Sequence, residues 1–160
     1  ASVGETLIAL KIAECEEKGM SFQDVIDTVE EYIAEQDTYF VLETLETLRK
    51  NGRLTGLKAI VATALNIKPV MGATAEGTIC QLGQARGIKK ALVKMVDEIA
   101  RRLKEPGRKI LAISHCNCPE RARQVKEMIL EKADFRDVII VDTAGISSMY
   151  ASDGGVIVVV

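Results

Sequence analysis

Apolar residues recur at helical spacing through the N-terminal part of the chain. A helix is predicted over residues 4–18, and Gly19 ends it because glycine readily adopts the left-handed conformation that follows many helices. Ser21 and Asp24 have the spacing of a capping box, which predicts that a second helix begins at residue 22. The apolar stripe that this helix is expected to bury consists of Phe22, Val25, Ile26, Val29 and Ile33.

The middle of the chain alternates between strand-like and helix-like patterns. The predicted elements are a strand over 38–41, helices over 42–50 and 56–65, hairpin strands over 67–71 and 78–82, and an amphipathic helix over 89–103. Short polar or glycine-containing stretches separate them, as expected for turns. The pattern predicts that helices and strands are interleaved in one domain.

Strand-like runs dominate the last third of the chain. Residues 110–114, 138–141 and 156–160 are almost continuously apolar, which is typical of strands covered on both faces. Pro119 suits the first position of a helix, and the strand–helix–strand order predicts a βαβ unit. The expected fold class is therefore α/β. We expect a single domain over residues 1–160, with helices packed on a small sheet and a helical extension at its N-terminal end.

The charge balance and composition exclude several classes of partner. Lys and Arg number 21 and Asp and Glu 23, so the net charge of −2 supplies no global positive field for nucleic acid. Aromatic residues make up only 4%, which leaves few surfaces on which bases could stack. No apolar run approaches the length of a membrane span, so a membrane-embedded protein is not expected. The four cysteines are few and unevenly spaced, which predicts reduced thiols and a cytoplasmic location.

The segment from His115 to Cys118 contains the residue types of metal sites and of nucleophilic catalysis. It offers three candidate ligands without a fourth, so no metal site is expected. His115 is the only histidine, and a hydrolase or phosphotransferase of this chain would have to use it with Ser114, Ser147 or Ser148. No nucleophile-elbow motif supports that hypothesis. The alternative is a strand end that packs beneath the helix beginning at Pro119.

The stretch 145–155 is rich in hydroxyl groups and glycines. Backbone N–H groups of Gly154 and Gly155 could form an anion-binding nest, with Ser147, Ser148, Tyr150 and Ser152 as side-chain donors. The same composition is typical of an ordinary turn between two strands.

Two basic clusters contain Arg53 and Arg86. Such clusters are usually solvated faces. Arg86 differs because it lies at a strand-to-helix junction directly before a glycine, where an oxyanion or an acidic partner could bind.

Several phrases together resemble one known family. They are Thr-Tyr-Phe-Val-Leu-Glu-Thr-Leu at 38–45, Leu-Arg-Lys-Asn-Gly-Arg-Leu at 48–54, Leu-Asn-Ile-Lys-Pro-Val at 65–70, Ala-Arg-Gly at 85–87, Ser-His-Cys-Asn at 114–117 and Tyr-Ala-Ser-Asp-Gly-Gly at 150–155. In this order the chain resembles the C-terminal lobe of a DegV-family protein over essentially its whole length. One departure is Ala151 with Gly154-Gly155, where many members carry a histidine before Gly-Pro-Gly.

This resemblance implies a function that composition cannot show. DegV proteins are bacterial carriers that bind a long-chain fatty acid in a tunnel between two α/β lobes. They present its carboxylate to a partner fatty acid kinase, which makes an acyl phosphate for phospholipid synthesis. The carrier itself is not expected to be an enzyme and needs no cofactor. Its N-terminal lobe, whose hydroxyl groups hold the carboxylate in the family, is expected to be missing from this chain, which begins at Ala1 without a methionine.

The same resemblance implies roles for individual residues. Those expected near the head group are Ser147, Ser148, Tyr150, Ser152, Gly154 and Gly155. Those expected to line the apolar tunnel are Leu57, Ile60, Val61 and Ala64, although their spacing suits ordinary core equally well. Arg86 and Arg53 are expected to face the partner. The alternatives to a carrier lobe are an enzyme that uses His115 and a purely structural lobe.

Overall fold

The computed structural model describes residues 2–54 and 66–160. The predicted helix over 56–65, with Leu57, Ile60, Val61 and Ala64, lies outside the described residues. In chain order the elements are α1 Val3–Glu17, α2 Phe22–Ala34, β1 Thr38–Val41, α3 Glu46–Lys50, β2 Ile67–Ala73, β3 Ile79–Arg86, α4 Ile88–Arg102, β4 Ile110–His115, α5 Pro119–Leu130, β5 Asp137–Asp142, α6 Gly145–Ala151 and β6 Val156–Val159. A short 3₁₀ turn, Pro106–Arg108, precedes β4. In this part of the chain, no helix is long and apolar enough to cross a bilayer.

The described strands form one mixed sheet in the order β3-β2-β1-β6-β4-β5. β4 and β5 run parallel, with Ile113 opposite Ile140, and α5 connects them, which confirms the predicted βαβ unit. The other pairings in the sheet are antiparallel. β6 therefore lies inside the sheet, between β1 and β4, although it follows all of the other strands in sequence.

α4 and α5 cover one face of the sheet. Met95 and Ile99 of α4 and Val125 of α5 are buried in one cluster with Ile113 and Val158 of the sheet. This burial explains why the amphipathic pattern over 89–103 predicted α4 to within one residue at each end.

Two separate groups of helices cover the opposite face. Side chains alternate along a strand, so Val159 points away from α4 and packs against Leu7 of α1. Towards the other end of the same strand, Ile157 packs against a cluster that contains Leu48 of α3 and Ala151 of α6. α1 and α6 thus cover different parts of one face.

The second helix begins where it was predicted, but the prediction of which of its residues are buried is wrong in part. The Ser21 hydroxyl accepts a hydrogen bond from the Asp24 N–H at 3.3 Å, which confirms the N-cap. Val29 is buried, whereas Phe22 is 81% exposed and Ile33 is 47% exposed. α2 packs chiefly against α1 rather than the sheet, so only the middle of its apolar stripe is covered.

The helix predicted over 42–50 is shorter than expected. α3 begins at Glu46, whose N–H donates to the Thr44 hydroxyl at 3.1 Å. Such a local side-chain acceptor favours a turn over helix continuation in the preceding residues. Leu42 directly follows β1 instead and is buried in the cluster with Leu48.

The core beneath α4 gives a first prediction. Met95→Ala is expected to lower the free energy of unfolding by about 2–5 kcal/mol, because it leaves a cavity between α4 and the sheet. Val93→Ala on the same helix, where the side chain is 49% exposed, is the matched control. It is expected to change the free energy by about 0.5 kcal/mol or less. Urea unfolding measures both, and equal losses would contradict the burial of Met95.

Candidate functional site

The ends of β4 and β5 meet the residues that precede β6, which we call the terminal loop (residues 152–155). The Cys116 N–H, directly after β4, donates to the Gly155 carbonyl at 2.9 Å, and the Gly154 N–H donates to the Cys116 carbonyl at 2.8 Å. Directly after β5, the Thr143 N–H donates to the His115 carbonyl at 2.8 Å. These bonds bring the terminal loop and the start of α6 to one edge of the sheet.

The stretch 145–155 is a helix followed by a tight loop, and it does not form the predicted anion-binding nest. The Gly154 and Gly155 N–H groups donate to the carbonyls of Cys116 and Ser152, and both glycines are buried. The glycines are required for a different reason. Gly154 has φ +82°, and a Cβ atom at Gly155 would overlap the carbonyl oxygen of Ala151 at the end of α6.

The hydroxyl groups predicted for the head group lie on α6 and the terminal loop. The Ser148 hydroxyl is 2.8 Å from the Thr143 hydroxyl and is hydrogen-bonded to it. Tyr150 is half-buried against the cluster that contains Leu48. Across the described ranges 2–54 and 66–160, the side chains of Ser147 and Ser152 form no hydrogen bond. These two hydroxyls can therefore donate to a ligand without breaking an internal bond; their contact with a head group stays a prediction.

Arg86 and Arg53 are both exposed. Arg86 is the last residue of β3 and is followed by Gly87 and α4, so the predicted strand-to-helix junction is confirmed. As far as the chain is described, neither guanidinium forms an ion pair or a side-chain hydrogen bond, and no contact joins the two. Their partner-facing role stays a prediction.

His115 is buried at the end of β4. The Cys118 N–H donates to its Nδ1 at 3.4 Å, and Asp142 Oδ1 lies 3.4 Å from the same nitrogen. Ser114 points to the other face of the strand, where its hydroxyl is 3.2 Å from that of Ser2. Burial raises the pKa of the Cys118 thiol. In the described residues, no serine hydroxyl bonds to His115 and no cluster of metal-ligating side chains forms. The surroundings of His115 are those of a packed strand end.

A charged network that the sequence analysis did not identify contacts the terminal loop. Arg121, in the first turn of α5, donates to the Gly154 carbonyl and to Glu43 Oε1, the latter at 2.9 Å. Glu43 Oε2 lies 2.8 Å from Lys68 Nζ, which also donates to the backbone carbonyl of Glu43 at 2.7 Å. The network thus joins α5, β2 and the segment after β1 beside the terminal loop.

Glu43 is ionised in this network. Burial acts to raise its pKa, but the charges and hydrogen bonds of Lys68 and Arg121 outweigh burial and hold the pKa below its ordinary value of 4.5. Because two cations contact one carboxylate, the network carries a net positive charge. Glu43 and Lys68 lie within the family-like phrases 38–45 and 65–70, so the sequence marked them as candidates for a functional role. Arg121 lies in none of these phrases.

The lowered pKa of Glu43 predicts a pH-dependent contribution to stability. Glu43→Gln is expected to lower the free energy of unfolding at neutral pH by about 1–2 kcal/mol, because a neutral amide cannot balance two cations. The ionised carboxylate stabilises the fold above the pKa of the unfolded chain. This contribution is lost as the pH falls from about 4.5 through the lower pKa of the folded protein.

Urea unfolding of the wild type and Glu43→Gln across this pH range measures the effect. Glu46→Gln is the matched control, since Glu46 pairs with Lys50 on the exposed surface. A stability difference between wild type and Glu43→Gln that persists unchanged into acid would contradict the role of the carboxylate charge.

Comparisons with known proteins match the whole chain. The family model described as an uncharacterised protein of the DegV family matches residues 1–160. A crystal structure of a DegV-family protein from Ruminococcus gnavus, refined with vaccenic acid, is 62% identical with a TM-score of 0.97, covering 100% of this chain and 57% of that one. The Streptococcus pneumoniae Fatty Acid Kinase (Fak) B3 protein, loaded with linoleic acid, is 32% identical with a TM-score of 0.84, covering 96% and 54%.

The sequence of a curated DegV relative also matches nearly the whole of this chain and about half of its own length. A DegV domain-containing protein of Streptococcus pneumoniae is 33% identical over 151 residues, which are 94% of this chain and 53% of the relative. The chain thus spans about half the length of the curated relatives that it matches. Since the family model covers every residue and the chain matches a solved DegV structure with a TM-score of 0.97, the chain belongs to the DegV family.

Proposed function

We propose that this chain is the C-terminal lobe of a carrier that binds one long-chain fatty acid. The observation that supports this most strongly is the Ruminococcus gnavus relative, which is 62% identical along this entire chain and was refined with vaccenic acid. That protein is longer than this chain, so the proposal includes a second, N-terminal lobe whose hydroxyl groups complete the site. In this proposal residues 1–160 form a single domain.

The chemistry of α6 suits a ligand with a polar head and an apolar tail. Ser147, on α6, and Ser152, directly after it, have hydroxyls that make no hydrogen bond within the described residues. On the same helix, Ile146 is 68% exposed and Met149 is 49% exposed, so apolar surface lies beside the hydroxyl groups. Hydroxyl donors can hold a carboxylate, and exposed apolar side chains can cover the first methylenes.

Burial of the acyl chain supplies most of the binding free energy. A chain of ~15 methylenes gains up to ~12 kcal/mol on leaving water, of which association and ordering consume a large share. Only an apolar tunnel can provide this gain. We assign its wall in part to Leu57, Ile60, Val61 and Ala64. Because the hydroxyl groups of the proposed N-terminal lobe are not among residues 1–160, we expect these residues by themselves to bind fatty acid weakly.

The carrier presents the carboxylate to a partner fatty acid kinase, which makes an acyl phosphate for phospholipid synthesis in the bacterial cytoplasm. The name of the pneumococcal relative, a Fatty Acid Kinase B3 protein, supports such a system. In this proposal catalysis belongs to the partner, and the carrier needs no cofactor. Arg86 and Arg53, exposed and without an ion pair among the described side chains, are assigned to the surface that meets the kinase.

A binding experiment tests the head-group assignment. In the protein expressed from its complete coding sequence, the double variant Ser147→Ala, Ser152→Ala is expected to weaken binding of oleic acid about tenfold or more, through lost hydrogen bonds to a charged group. Binding of methyl oleate is expected to change little, because the ester carries no charge. Thr78→Ala, an exposed hydroxyl on the β2–β3 turn, is the control. Equal weakening for acid and ester would contradict the assignment, and no binding by the wild type would contradict the carrier function.

A second experiment tests the partner surface. Arg86→Ala is expected to leave oleic acid binding unchanged and to reduce acyl phosphate formation by a fatty acid kinase about tenfold, which is the effect of one lost charge pair at a protein interface. Arg101→Ala, near the other end of α4, is the matched control. Unchanged acyl phosphate formation in Arg86→Ala would contradict this role.

A further inference from the structure

We propose that Glu43 and Arg121 are positioning residues for the head-group site. We call the pair, with Lys68, the clamp. It holds the terminal loop against the edge of the sheet and thereby sets the position of Ser152 and α6. That the positioned groups serve a fatty acid rests on the proposed function, whereas the clamp itself rests on the contacts below.

The clamp acts first on Gly154, whose backbone N–H and backbone carbonyl are both held. Its N–H donates to the Cys116 carbonyl at 2.8 Å, which continues the contact between β4 and β6 beyond the strands. Its carbonyl accepts from the Arg121 guanidinium. A charged side chain thus supplies the bond that a neighbouring strand would supply in a regular sheet. Arg121 suits this task because one planar fork can donate to two acceptors at once.

Glu43 in turn fixes the orientation of the Arg121 side chain. The carboxylate binds Arg121 through Oε1 at 2.9 Å and Lys68 through Oε2 at 2.8 Å. The side chains of Glu43, Lys68 and Arg121 are only 35%, 17% and 23% exposed, so water screens their charges less than those of exposed pairs. The network thereby joins three segments that are distant in sequence, and Arg121 connects it to one carbonyl of the terminal loop.

Contacts of Gly155 link the position of the terminal loop to the positions of the Ser152 and Ser147 hydroxyl groups. Gly155 packs so closely on the last turn of α6 that a Cβ atom there would overlap the Ala151 carbonyl oxygen. The Gly155 N–H also donates to the Ser152 carbonyl at 3.1 Å. Movement of the loop would therefore move Ser152 directly. It would also change how α6, which carries Ser147, packs against the loop. Misplacement of a donor by a fraction of an ångström weakens a directional hydrogen bond.

A second ion pair on α5 provides the contrast. Arg123 pairs with Glu120 three residues away, on an exposed part of the same helix. Within the part of the chain that the structure describes, this pair joins no other element. If charge on α5 mattered only for helix stability, Arg121 and Arg123 would be equivalent.

The test uses the protein expressed from its complete coding sequence, in the variants Arg121→Ala, Glu43→Gln and Arg123→Ala. Amide hydrogen exchange, followed by NMR, is expected to accelerate at least tenfold at Gly154 and Cys116 in Arg121→Ala, and less in Glu43→Gln. Exchange at Ile113 in the middle of β4 and all exchange in Arg123→Ala are expected to match the wild type. Oleic acid affinity is expected to fall about fivefold to twentyfold in Arg121→Ala, with methyl oleate affinity nearly unchanged.

The outcomes separate the clamp from the carrier function. Unchanged amide exchange at Gly154 and Cys116 in both clamp variants overturns the clamp. Equal losses of affinity for oleic acid and methyl oleate show a general structural effect and overturn the clamp's role at the head group. If the wild type binds no fatty acid, the carrier function fails, and the exchange data alone decide whether the clamp exists. If Arg121→Ala does not fold, Glu43→Gln, which conserves shape, and Arg121→Lys, which conserves charge but not the fork, provide the same readouts.

Discussion

β6 pairs with β1 on one side and with β4 on the other, and this double pairing constrains everything around the candidate site. Val156, Val158 and Val159 are buried. Because β6 runs antiparallel to β4, the residues before β6 must lie where β4 ends. The terminal loop, α6 and the end of β5 are consequently gathered at one edge of the sheet. A loop placed there by a buried central strand has a better-defined position than a loop between two edge strands.

The terminal loop combines this fixed position with an unusual distribution of charge. The N–H groups of Ser152, Gly154 and Gly155 are used internally, so the two glycines do not offer a nest of amides to a ligand. Positive charge reaches the loop instead through Arg121, which Glu43 holds in turn. The groups that can meet a ligand include the side-chain hydroxyls of Ser147 on α6 and Ser152 in the terminal loop, and the exposed apolar side chains of α6. This arrangement favours an amphipathic ligand over a small, highly charged anion, which would require more free donors.

Sequence periodicity predicted the regular elements well where one face packs on the sheet. α4 and the strands of the βαβ unit were found within one or two residues, because burial imposes their patterns. α6 was missed because its serines and glycine are typical of turns and its apolar residues Ile146 and Met149 are exposed. The bond between Glu43 and Arg121 spans 78 residues, and no local spacing could reveal it. The fatty acid came from the family resemblance, since composition and spacing alone left carrier, enzyme and structural lobe open.

The identity of a bound ligand tests the proposed carrier function most directly. The decisive measurement is mass spectrometry of an organic-solvent extract from the protein, expressed from its complete coding sequence and purified under native conditions. We expect about one equivalent of long-chain fatty acid per protein molecule, because a ligand buried in an apolar tunnel dissociates slowly enough to survive purification. Folded protein that contains no fatty acid and takes up none when it is supplied would contradict the carrier function.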